Sequence, residues 1–113
     1  MNKSITIEET RLIVYARDGY QCQHPKCGIM GYDNLEMAHR IAQTKANKQM
    51  IAQYALDMFG TLLTREQVGS IIHHLLNLKT SCRSHNDYFN IGNVPVLRYK
   101  LLSEIFKELG YYD

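Results

Sequence analysis

Hydrophobic positions along this chain recur mainly at helical spacing, broken by two short extended runs. Thr6-Ile7-Glu8-Glu9 has the form of a capping box and predicts a helix over residues 7–17. Leu12, Ile13 and Ala16 form its apolar stripe, and Asp18-Gly19 ends it. Residues 22–28, Cys-Gln-His-Pro-Lys-Cys-Gly, hold too many turn formers for regular structure. Residues 35–39 partly alternate and predict a strand. Over 43–60, Met50, Ile51, Tyr54, Ala55 and Met58 return at helical spacing, and Gly60 is the stop. Thr64 to Gln67 repeats the capping-box pattern and opens a helix over 65–76. Residues 77–82 predict a second short strand. Asp87, Tyr88 and Phe89 predict a short helix ending at Gly92. Pro95 suits the first turn of a last helix, over 95–109, which Gly110 stops.

Composition changes this picture little. The chain has 113 residues, 45% hydrophobic and 21% charged, which suits one domain. No apolar run is long enough to span a bilayer, and MNKSITIEET lacks a signal-peptide core, so a cytoplasmic protein is expected. Net charge is only +2, which does not announce a nucleic-acid binder. The basic surplus is local: Lys26, Arg40, Lys45 and Lys48 in residues 22–49, and Lys79 and Arg83 in residues 77–91.

The cysteines change it more. There are 3, an odd number for a disulfide framework. Cys22 and Cys27 have four residues between them, and Cys82 and His85 two, spacings by which a tight turn presents two ligands to one zinc ion. Together they supply four ligands and join the two ends of the chain, so zinc affinity becomes folding energy. His24 is a competing ligand inside the first turn. His73-His74 falls mid-helix, where one ring is expected toward the core and the other toward solvent. The 8 tyrosines are expected mainly in the core and at its rim.

Taken in order, Arg17-Asp-Gly-Tyr-Gln-Cys22, Cys27-Gly28, Leu35-Glu-Met-Ala-His39-Arg40-Ile41, Asn77-Leu78 and Cys82-Arg-Ser-His85-Asn86 resemble the zinc-knuckle branch of the HNH endonucleases, over about residues 11–92. The resemblance implies an α+β, mainly helical fold with a ββα-metal core, a two-strand hairpin and a structural zinc staple. It makes residues 42–76 a helical insertion longer than the family's usual connection. It places His39 as general base on the attacking water and Asn77 as the residue that orients it. Asn86, with Asn90 four residues on, would ligate a catalytic Mg²⁺ or Mn²⁺. The family's acidic or histidine metal ligand before the catalytic histidine is replaced here by Ala38, which leaves two alternatives: a metal site that is weak without DNA, or Glu36, two residues back on the same strand, as substitute carboxylate. Arg40 and Arg83, each beside a site residue, are the expected DNA-phosphate contacts. The implied activity is hydrolysis of DNA, double-stranded, with a dimer left open and no membrane partner. The alternatives are a non-catalytic, zinc-stabilised nucleic-acid-binding module and a structural zinc protein with no nucleic-acid role.

Overall fold

The computed structural model describes residues 6–112. Residues 1–5, which begin the stretch read above for a signal peptide, and residue 113 lie outside the described residues. The order of elements is α1 (Ile7–Arg17), β1 (Glu36–His39), α2 (Lys45–Phe59), α3 (Arg65–Ile72), β2 (Leu78–Ser81) and α4 (Pro95–Glu108). Short 3-10 turns cover Tyr32–Asn34, Leu75–Asn77 and Arg83–Phe89. The fold is α+β, mostly helical, with a two-stranded antiparallel sheet. No described helix is long and apolar enough to cross a membrane.

Local chemistry starts and stops the helices where expected. Thr6 and Thr64 both close capping boxes, with Glu9 and Gln67 reaching back to the cap N–H. Thr44 caps α2 with its hydroxyl, and Gly60 ends it in the left-handed conformation at φ 64°. Pro95 sits in the first turn of α4.

In three places the structure departs from the sequence reading. The buried face of α1 is Thr10, Val14 and Tyr15, while Leu12, Ile13 and Ala16 are exposed. Thr10 can be buried because its hydroxyl donates to Thr6 O at 3.0 Å, satisfying it within the helix. Second, α3 stops at Ile72 rather than continuing to residue 76. His74 takes a cap conformation, and its Nδ1 accepts the Leu76 N–H at 3.1 Å, which starts a new 3-10 turn. Third, the element after β2 is a 3-10 helix and not the α-helix of a ββα core. Its run Ser84-His85-Asn86-Asp87 consists of side chains that compete with the backbone for hydrogen bonds and disfavour regular helix.

The strands pair in the register Glu36 with Ser81 through His39 with Leu78. Their connection is no tight hairpin: residues 40–77 carry α2 and α3 before the chain returns. The main core packs Ile51 and Ala55 of α2, Val68, Ile71 and Ile72 of α3, and Leu101, Leu102, Ile105 and Phe106 of α4 around Ile41. A second, smaller cluster groups Tyr15, Leu35, Cys22 and Cys82. Each of the tyrosines lies against another aromatic ring, but only Tyr15 is buried; Tyr54, Tyr111 and Tyr112 are half-buried against the main core, and Tyr20, Tyr32, Tyr88 and Tyr99 are exposed rather than in the core.

Candidate functional site: a cysteine–histidine cluster beside a histidine-lined cleft

The first cysteine turn is shaped by its backbone. Cys22 N–H donates to Ile29 O at 3.0 Å, Cys27 N–H donates to His24 O at 3.0 Å, and Gln21 bridges Met30. Gln23 N–H donates to Thr80 O at 3.0 Å, which fastens this turn to β2. The second pair opens the 3-10 helix after β2, where His85 N–H donates to Cys82 O at 3.2 Å. Two segments distant in sequence thus face each other across the end of the sheet.

There the ligand atoms of Cys22, Cys27, Cys82 and His85 all lie within 4.8 Å of one another. Tetrahedral zinc with Zn–S near ~2.3 Å and Zn–N near ~2.05 Å sets S···S at about 3.8 Å and S···N at about 3.6 Å. The observed separations are 3.9 Å for Cys27 Sγ to Cys82 Sγ, 3.8 Å for Cys22 Sγ to His85 Nδ1 and 3.3 Å for Cys82 Sγ to the same nitrogen. Donor type and spacing therefore fit a metal ion such as zinc. His24 does not compete for it. Its Nδ1 accepts the Lys26 N–H, and its ring stacks on His85 at 3.9 Å and 11°. Tyr88 meets the other side edge-on at 4.4 Å. His24 thereby braces the ligating ring.

Of the residues carried over from the HNH resemblance, Glu36, His39 and Asn86 line a neighbouring cleft of about 960 Å³, together with Gln43 and His73. His39 projects from the end of β1. Asn77 is 1% exposed, and its three side-chain hydrogen bonds all serve one junction. Its Oδ1 accepts the Ile41 N–H at 2.7 Å, while its Nδ2 donates to Ile41 O at 3.1 Å and to Ile72 O at 2.7 Å. Arg40 N–H donates to Asn77 O at 2.8 Å. One buried side chain thus fixes the backbone just after His39 and the end of α3 together.

That clamp brings in a residue that the sequence places in a helix and outside the site. His73 caps α3, and its Nδ1 stands 3.1 Å from His39 Nε2 with the rings at 72°. The reading had His73 and His74 mid-helix, one toward the core and one toward solvent. In the structure both are half-buried and neither lies within the helix. The sequence signal that marks this is Asn77 itself, a buried-type amide five residues after the end of α3. Burial and, next, the facing His73 lower His39 to about 4, so the ring is neutral at neutral pH. Burial, then Lys48, lowers His73 as well.

The other predicted residues are placed less simply. Ala38 is fully buried in the sheet and offers no donor. Glu36 lines the cleft, but its carboxylate is engaged: Asn86 Nδ2 donates to Oε1 at 3.0 Å and Arg83 Nε to Oε2 at 3.3 Å. The side chain of Arg83 is otherwise 93% exposed. Arg40 reaches toward the backbone, its guanidinium donating to Leu76 O at 3.4 Å. Asn86 and Asn90 do not share a helix face. With three residues per turn, positions four apart diverge, and Asn90 lies past the helix end with its Oδ1 accepting the Gly92 N–H at 2.7 Å. Glu36, Asn86 and Asn90 as arranged do not form a ready oxygen shell for Mg²⁺ or Mn²⁺. Comparison with family models, with curated proteins and with solved structures gives no match for this chain.

Proposed function

We propose that the chain is an HNH-type endonuclease acting on DNA, with His39 as general base and a zinc-stapled frame that holds it. The observation that carries this reading is the buried Asn77 clamp, which fixes a neutral His39 at the wall of an open cleft. A general base must be unprotonated and held in place before substrate arrives. Burial meets the first demand and Asn77 the second. His39 takes a proton from water as the water oxygen bonds to phosphorus; the P–O3′ bond breaks and the leaving O3′ takes a proton from solvent water, which gives 5′-phosphate and 3′-hydroxyl ends. An anionic phosphodiester in the cleft raises the affinity of His39 for that proton. Arg83, exposed and paired with the cleft-lining Glu36, is freer of the two arginines to meet a phosphate; Arg40 serves the backbone first. Glu36 and Asn86 would hold a divalent ion here only after rearranging, and such an ion would supply Lewis-acid stabilisation of the leaving oxygen. Glu36, which already accepts from Asn86 and Arg83, would have to turn a remaining lone pair toward it.

A second reading has its own support. Ala38, buried and without a donor, favours a zinc-stabilised module that binds nucleic acid without cutting it. Plasmid incubated with purified protein and Mg²⁺ or Mn²⁺, beside His39→Ala, separates the two. Nicking by the wild type and not by the variant supports the nuclease. Equal nicking by both overturns the role of His39, and salt-dependent binding with no nicking supports the module.

A further inference from the structure

We propose that His39 and His73 together form a second metal site, one that takes a borderline transition-metal ion such as Ni²⁺, Co²⁺ or Zn²⁺ across the junction of β1 and α3. Two imidazole nitrogens bound to one tetrahedral ion stand about 3.3 Å apart, from Zn–N near ~2.05 Å. His39 Nε2 and His73 Nδ1 are already at 3.1 Å, so the ion enters with a widening of a few tenths of an ångström. In the free protein one ring donates its N–H to the other. The ion takes the place of that shared proton; the donating ring exchanges it through solvent for one on its other nitrogen, so both rings stay neutral and both nitrogens turn lone pairs on the ion. The pair is preorganised, because Asn77 holds Ile41, two residues after His39, and Ile72, immediately before His73. Both rings line the open cleft, so water completes the coordination sphere.

The donor set selects the ion. Imidazole suits Zn²⁺, Ni²⁺, Co²⁺ and Cu²⁺, whereas Mg²⁺ prefers oxygen and sheds water reluctantly. The site is also distinct from the thiolate cluster, which uses Cys22, Cys27, Cys82 and His85. For the proposed nuclease the consequence is inhibition. Ligation through Nε2 leaves the remaining proton of His39 on Nδ1, so the ring can accept no proton from water. That consequence rests on the nuclease reading; the binding does not.

The test is calorimetric titration of NiCl₂ into the zinc-loaded protein at neutral pH, without DNA. One Ni²⁺ per chain is expected, with no response to MgCl₂. His39→Ala and His73→Gln should each weaken Ni²⁺ binding by at least the about 10- to 100-fold that loss of even an outer-shell partner costs a metal site. His74→Ala should leave it unchanged. Circular dichroism of each variant confirms the fold. A measurement on the wild type needs no variant: paramagnetic Ni²⁺ should shift or broaden the ring signals of His39 and His73 before those of His74. Absence of a Ni²⁺ equivalent in the wild type, full binding by His73→Gln, or perturbation of His74 first would each overturn the site. DNA nicking is read separately, so a protein that binds Ni²⁺ and never cuts DNA refutes the nuclease and keeps the metal site.

Discussion

Eleven buried residues pack together where α2, α3 and α4 meet, whereas the cluster beside α1 and the strands has four, of which Cys22 and Cys82 are two. The helical half therefore rests on aliphatic burial, at roughly 1.5–3 kcal/mol for each large side chain removed from water. The other half lacks that resource. It substitutes a four-ligand cluster and a polar hub, in which Arg17 donates to Leu75 O and Leu78 O and Asp18 accepts the Thr80 N–H at 2.9 Å. A short segment with little apolar surface to bury needs such a staple. The lesson concerns the seam. His39 comes from the stapled half, His73 from the aliphatic half, and Asn77 ties both, so the cleft is complete only while the two halves are in register.

The largest effect should follow loss of a metal ligand. Cys82→Ser should abolish zinc retention by elemental analysis and unfold the segment 18–40. Apparent binding energies of about 10–16 kcal/mol for structural zinc peptides set the scale. Leu102→Ala, in the aliphatic half, should cost about 2–5 kcal/mol in denaturant unfolding. The folded fraction should keep its full zinc content, and loss of zinc from it would erase the distinction between the halves. Asn77→Ala acts on the seam: it strands the Ile41 N–H and two carbonyls, at about 1–3 kcal/mol for each buried group left unpaired. It should also separate the rings of His39 and His73 in an NMR structure, and should cut turnover by the proposed nuclease far more than it changes zinc content.

The smallest effect belongs to the polar hub. Burial alone would raise the Asp18 carboxyl, but hydrogen bonds from Arg17 and Thr80 outweigh it and hold the group below its usual value. A carboxyl lowered on folding contributes stability above its unfolded value, and that contribution is lost as pH falls through the folded one. Asp18→Asn should therefore cost about 1 kcal/mol at neutral pH and flatten the acid limb of the stability curve. An unchanged acid limb would remove Asp18 from the account.

Much of this architecture was legible in the chain. Capping boxes at Thr6 and Thr64, the stops at Gly60 and Gly110, and the spacing of the four zinc-type ligands are local signals, and local signals survive folding. The misses were tertiary. Nothing within α1 says that Thr10 can be buried by bonding to its own turn while Leu12 and Ile13 face out. The end of α3 depends on His74 accepting the Leu76 N–H and on Asn77 reaching back to Ile72, a use of histidine as a cap that propensity does not anticipate. His73 reads as a mid-helix histidine because its partner, His39, is 34 residues away. The amide pair Asn86 and Asn90 failed because a 3-10 turn changes which residues share a face.

Hydrogen exchange followed by mass spectrometry, with and without a strong zinc chelator, tests the division between the halves most directly. Chelation should strip protection from α1, β1, β2 and both cysteine turns, while the backbone amides of α2 and α4 keep theirs. Loss of protection throughout the chain at one rate would show a single cooperative unit, and protection of the cysteine turns unchanged by the chelator would show that no metal holds them.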